Sequence, residues 1–248
     1  MVTDRQRAIL FALVEEYTRH AVPVASKTLV RGTRFTVSPA TMRNEFAALE
    51  RAGFIAKQHT SAGRVPTDAG YRLYVNQCLE KPAINDGRER QARHAFERVL
   101  ELQHSFEREL AKAIAELAGE VAIVASGEGE IFYSGMSHLF EKPEFDTRLG
   151  AQEISRAMDN FDALMPELLE QFDGVDRPAV LIGKETPMAG DCSIVLMRHN
   201  FDDTTTQGLL AIIGPMRMQY RSNIDILKTA AHVLENYGSK RRSTKRIT

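Results

Sequence analysis

SPATMRNEFAALERAGFIAKQHTSAGRVPT, running from Ser38 to Thr67, carries a capped helix, a stop and a hairpin in one continuous stretch. Ser38 can accept a hydrogen bond from the first free helical amides, and Pro39 sits where its missing N–H is harmless. The helix stops at Gly53, a residue that tolerates the left-handed backbone beyond a helix end. Inside it Met42, Phe46 and Leu49 are spaced i, i+4, i+7 and face inward, leaving Thr41, Arg43, Asn44 and Ala47 largely outside. Beyond the stop, Phe54-Ile55-Ala56-Lys57-Gln58 reads as a strand, His59 to Gly63 as a turn and Arg64-Val65-Pro66 as the return strand. The hairpin tip is polar and basic.

Working outward, Thr3 is a plausible N-cap with Gln6 three residues on, and Ile9, Leu10, Leu13, Val14 and Tyr17 recur on one helical face. That helix should end near His20. Pro23 interrupts, and a short helical stretch from Ser26 to Val30 precedes the break at Gly32. On the other side Thr67 caps a helix in which Tyr71, Tyr74, Val75 and Cys78 recur at helical spacing. Three helices, a hairpin and a helix make a winged helix-turn-helix over residues 1–81.

Charge supports a polyanion partner for that segment. Residues 1–81 hold 12 Lys and Arg against 7 Asp and Glu, whereas 82–237 hold 15 against 26. A basic head on an acidic body suggests that the head meets nucleic acid. On the third helix Arg can fork onto guanine, Asn can pair with adenine, and Thr and Ala allow close approach. Thr41, Arg43 and Asn44 are therefore the expected base readers, although a merely solvated face would also look polar. Lys27, Thr28, Ser38, His59, Thr60, Ser61 and Arg64 are expected on phosphates, with Arg64 also able to enter the minor groove.

The body begins after a linker, Lys81 to Gly87. A long helix is expected within 82–119, with Phe96, Val99, Gln103, Phe106, Leu110, Ala113 and Leu117 alternating three and four apart. Three heptads sit at the lower limit for a coiled coil. A helix lying on the body's own sheet is the favoured reading, and a dimer seam is the alternative. From 120 to 237, Val121 to Ala125, Ile131 to Tyr133, Ala179 to Ile182, Ser193 to Met197 and Gly208 to Ile213 are β-like. Helices between Gln152 and Asp173 and between Asn223 and Tyr237 complete an α+β body with an antiparallel sheet. Residues 238–248, with five cations and no acid, read as a disordered basic tail.

Other function classes find little support. The chain has 248 residues, 43% hydrophobic and 26% charged, an ordinary soluble composition. No apolar run reaches the roughly 18 residues of a membrane span, and the polar start Met1-Val2-Thr3-Asp4-Arg5 is unlike a signal peptide, so a cytoplasmic protein is expected. Cys78 and Cys192 match no ligand spacing, and the histidines are scattered, so neither a metal nor another cofactor is expected. Cys192 with Asp191 and His199 is the one grouping that hints at a nucleophile, but it lacks an oxyanion-type loop. Gly127-Glu128-Gly129 carries acid where a phosphate cradle needs positive potential. Arg217, if it lies inside, should pair with an acid such as Glu185 or Asp191. No enzyme is expected.

Particular strings add a family likeness. Pro23 to Leu29, Ser38 to Glu45 and His59-Thr60-Ser61-Ala62-Gly63-Arg64-Val65-Pro66-Thr67-Asp68-Ala69-Gly70-Tyr71-Arg72 resemble the amino-terminal domain of the heat-inducible transcription repressor HrcA family. Gly135-Met136-Ser137-His138-Leu139-Phe140-Glu141-Lys142-Pro143-Glu144-Phe145, Ile182 to Glu185 and Gly214 to Tyr220 look like further signatures of that family. The resemblance implies a repressor of chaperone genes on an inverted-repeat operator, released by heat, dimeric and assisted by a chaperonin. It also implies a reduced GAF-like body, because the family's usual chain is longer by about a hundred residues, the size of a domain. The missing part holds some of the GAF-like domain and an inserted dimerisation domain. An alternative keeps the winged helix and gives the body a small-molecule pocket, as GAF-like domains often do.

Overall fold

A computed structural model describes residues 2–32, 35–58, 63–80, 86–102, 106–125, 130–146, 152, 155–156, 177–188, 191–200 and 207–245. It divides into two compact units, Met1–Glu80 with Met216–Met218, and Lys81–Pro215 with Gln219–Thr248.

Local signals set the first unit's boundaries. Helix α1 (Asp4–His20) opens on a capping box, in which Gln6 N donates to Thr3 Oγ1 at 3.2 Å and Thr3 N to Gln6 Oε1 at 3.1 Å. It ends where Ala21 turns left-handed at φ 54°, and it buries Ile9, Leu10, Leu13 and Val14. Helix α2 (Ser26–Gly32) runs to the expected break. Helix α3 (Pro39–Arg51) starts with the Thr41 amide donating to Ser38 Oγ at 3.1 Å and buries Met42, Phe46 and Leu49. Strands β1 (Ile55–Lys57) and β2 (Arg64–Pro66) pair antiparallel, with Lys57 opposite Arg64. Helix α4 (Asp68–Glu80) follows. Thr67 stitches its start to the end of α3, accepting from Gly70 N at 3.2 Å and donating to Gly53 O at 2.6 Å.

In the second unit two helices stand where periodicity suggests one. Helix α5 (Asp86–Leu100) is separated from α6 (Phe106–Ala118), and the Leu102 amide closes a turn on Val99 O at 3.0 Å. A coiled-coil seam needs one continuous helix, so the seam reading fails. Three of its apolar positions are buried inside the chain instead, Phe96 being 1%, Val99 8% and Leu110 1% exposed, while Phe106, Ala113 and Leu117 are half-buried. Gln103 lies outside the described residues.

The sheet has the order β4-β3-β7-β6-β5, antiparallel throughout, formed by β3 (Val121–Ala125), β4 (Ile131–Ser134), β5 (Ala179–Ile182), β6 (Cys192–Asn200) and β7 (Gln207–Pro215). Each expected strand is present, and β6 and β7 extend beyond the expected ends. Alternation divides the side chains between two faces. Val121, Ile123, Ile194, Leu196, Ala211 and Ile213 share one face with Leu139 and Phe145, and helix α7 (Met136–Phe140) supplies Leu139. On the other face Arg108 of α6 lies over the Phe132 ring at 5.9 Å, and Ser193 Oγ meets Tyr220 Oη at 2.7 Å.

Tyr220 opens helix α8 (Tyr220–Lys245). The backbone stays helical past Tyr237 into the segment expected as a disordered tail, because a lone Gly weakens a helix without having to end it. Most of the expected helix Gln152–Asp173 lies outside the described residues; Gln152, Ser155 and Arg156 are helical.

Leu110 is thus a core residue. Leu110→Ala should destabilise the sheet unit by about 2–5 kcal/mol in denaturant unfolding, and Leu110→Glu should unfold it instead of releasing a folded monomer. A Leu110→Ala variant as stable as the parent would remove α6 from the core.

Candidate nucleic-acid interface

The ionic side chains of α3 separate by direction. Arg43, Asn44 and Arg51 are exposed, whereas Glu45 and Glu50 are half-buried. Glu45 Oε2 accepts from Gln6 Nε2 of α1 at 3.1 Å, and its Oε1 lies 3.8 Å from Arg5 Nη1. Glu50 Oε2 accepts from Arg64 Nη2 at 2.9 Å and from Arg64 Nε at 3.0 Å. Both acids are therefore matched within the unit, and Arg43 and Arg51 stand exposed on α3.

The expected contact residues fare differently. Arg43 and Asn44 stand exposed on the outer face. Thr41 is half-buried, and its Oγ1 lies 2.9 Å from Ser38 Oγ, so both hydroxyls serve the cap of α3. Lys27 is exposed at the start of α2, and Thr28 beside it is half-buried. His59, Thr60 and Ser61 lie outside the described residues. The Arg64 guanidinium is held by Glu50, with its side chain 18% exposed.

Two exposed cations were passed over in the sequence. Arg51 lies seven residues after Asn44, hence on the same side of α3, and is exposed. Lys57 is exposed on β1, opposite Arg64. Extending the helical face to its last turn would have found the first. The hairpin register would have found the second.

Among the described residues Cys192 and His199 are not brought together, and Gly127-Glu128-Gly129 lies outside the described residues. Cys192 opens β6 opposite Pro215, while His199 lies near the other end of that strand opposite Gly208. An odd separation also puts the two on opposite faces of the sheet. The late sequence strings instead do structural work. Glu120, 4% exposed, receives Lys142 Nζ on Oε1 at 3.3 Å. A Cβ at Gly214 would meet Glu120 Oε2 at 2.6 Å, so glycine there makes room for the buried carboxylate. Ile182 N donates to Glu185 Oε2 at 3.0 Å. Arg217, grouped with the first unit, donates from Nη1 to the main-chain carbonyl of Thr18 at 3.4 Å. Among the described residues there is no cluster of three or more potential metal ligands, and no helix is long and apolar enough to cross a membrane.

The family model for the HrcA protein C terminal domain matches residues 70–224. The heat-inducible transcription repressor HrcA of Chloroflexus aggregans is 47% identical over 98 residues, 40% of this chain and 26% of that protein. Its counterpart in Thermomicrobium roseum is 42% identical over 123 residues, 50% of this chain and 35% of that protein. The matches thus span about a quarter to a third of these relatives' length. A crystal structure of a hypothetical protein shares the fold with a TM-score of 0.75 at 16% identity, covering 97% of this chain and 99% of that one.

Burial makes His199 a pH-dependent element of the body's stability. Its desolvated imidazole titrates at about 4 instead of 6.5. The folded chain refuses a proton that the unfolded chain accepts, so the stabilisation is full above pH 6.5 and is lost as pH falls towards 4. Relative to His199→Asn, the parent should lose up to about 3 kcal/mol between pH 7 and pH 4 in denaturant melts. A pH-independent difference would show that the folded imidazole titrates normally.

Proposed function

Because the chain belongs to the HrcA family, we propose that it is a transcription repressor of heat-shock genes that binds an inverted-repeat operator in double-stranded DNA. The observation that carries this reading is the outward face of α3, where Arg43, Asn44 and Arg51 are exposed while both glutamates are paired within the unit.

The order α1-α2-α3-β1-β2-α4 has the form of a winged helix. In that arrangement α3 enters the major groove and the hairpin lies along the backbone or minor groove. Arg43 forks onto guanine and Asn44 onto adenine, and each good contact of this kind discriminates by about 1–3 kcal/mol. Ser38 and Thr41 fix the first turn of α3 through its cap. Lys27, Thr28, Arg51, Lys57 and the tip residues His59, Thr60 and Ser61 meet the backbone, positioning the helix without reading sequence. The body is a reduced GAF-like domain acting in regulation and not in catalysis, in keeping with relatives named as repressors. Two copies occupy the two half-sites, heat releases them, and a chaperonin assists the active form.

Fluorescence anisotropy against an inverted-repeat duplex of the family type and a scrambled duplex, at physiological salt, tests the reading. Tight binding to the repeat alone is expected, and equal weak binding to both duplexes would overturn it. Arg43→Ala should cost about 1–3 kcal/mol on the repeat and little on the scrambled duplex. Equal losses on both would remove Arg43 from base reading.

A further inference from the structure

Arg64 invites reading as a phosphate ligand, being a cation at the root of a basic hairpin. Its surroundings favour another role. Its guanidinium makes two contacts under 3.1 Å with one oxygen of Glu50, Nη2 at 2.9 Å and Nε at 3.0 Å. Its backbone is also fixed, because Val24 N donates to Arg64 O and Arg64 N donates to Val24 O, both at 2.8 Å. The preceding residue leaves no slack. A Cβ at Gly63 would lie 2.5 Å from the Val24 carbonyl carbon and 2.6 Å from that of Pro23. The hairpin root is thus attached to the segment before α2 by its backbone and to the last turn of α3 by a side chain.

Releasing Arg64 onto DNA would leave Glu50 as an unmatched, half-buried carboxylate near the phosphates. From these contacts we propose that Glu50 and Arg64 form a clamp that sets the bearing of the wing on the reading helix, making Arg64 a positioning residue and not a phosphate contact. The consequence for DNA rests on the repressor reading above, whereas the clamp itself can be read in the free protein.

The two roles predict opposite signs for one isosteric change. Glu50→Gln removes a negative charge from the DNA-binding unit, so if Arg64 were a phosphate ligand the change would free it and binding would strengthen or stay the same. The clamp instead predicts weaker binding to the inverted-repeat duplex, on the order of tenfold, within the coupling expected of contacting groups. Arg64→Gln should weaken binding similarly, and the double variant should be no worse than the weaker single. Reversing the pair, Glu50→Arg with Arg64→Glu, keeps the net charge and should restore most of the affinity with an unchanged salt slope. Tighter binding by Glu50→Gln overturns the proposal, as does a reversed pair that stays weak with a salt slope reduced by about 0.9. In the DNA-free protein, hydrogen exchange at the Val24 and Arg64 amides should quicken in Glu50→Gln, and unchanged exchange overturns the clamp. Quickened exchange in a protein that binds both duplexes equally would uphold the clamp while overturning the repressor reading.

Discussion

A helix proposed to lie against DNA should not direct carboxylates at the phosphates, and α3 carries two, Glu45 and Glu50. The fold resolves this conflict by turning Glu45 towards Gln6 and Arg5 of α1 and Glu50 towards Arg64 of β2. Each acid then serves twice, removing its charge from the outer face and tying α3 to a neighbouring element. Gln6 shows the economy of the arrangement, since it closes the capping box of α1 through Oε1 and holds Glu45 through Nε2. The Glu45–Arg5 and Glu50–Arg64 pairs differ in setting. Arg5 is 61% exposed in its side chain and Arg64 18%, so the solvent-screened first pair should contribute less than the second.

The parts legible in the sequence are those written locally. Thr3 with Gln6, Ser38 with Pro39, and Gly53 mark helix ends through bonds within a few residues, so the elements of the first unit follow from their own strings. The Met42, Phe46 and Leu49 spacing gave the buried face of α3 for the same reason. Glu50 and Arg64 are separated by a turn, a strand and the hairpin tip, and nothing in the spacing says that one will face the other. That is why Arg64 was expected on a phosphate. Ser38 and Thr41 were assigned to DNA from their positions in the string, and the structure brings their hydroxyls together at the cap of α3.

The body shows where periodicity misleads. Phe96, Val99 and Leu110 keep a heptad-like rhythm across a place where the chain leaves the helix, because both flanking helices bury apolar faces. Burial pattern records which residues are inside and does not record whether one helix or two carries them. No Pro or Gly marks the break at Glu101 and Leu102. At the other end, the helix expected between Asn223 and Tyr237 continues in its backbone through Gly238 to Lys245. A terminating glycine needs the left-handed turn as well as the residue type.

The late signature strings gain a physical meaning from the sheet. Gly135 to Phe145 supplies Leu139 and Phe145 to one sheet face and Lys142 to the buried Glu120, and Gly214 leaves space for that carboxylate. Tyr220 ties the start of α8 to Ser193. Stretches that read as family signatures in the sequence are here joints of the body. Of the apolar positions once open to a dimer seam, Phe96, Val99 and Leu110 are buried within the chain, whereas Phe106, Ala113 and Leu117 are half-buried. Phe96, Val99 and Leu110 are therefore not available to a second copy. An isologous contact would place the same patch on both copies, and residues already filling a core cannot also form that patch.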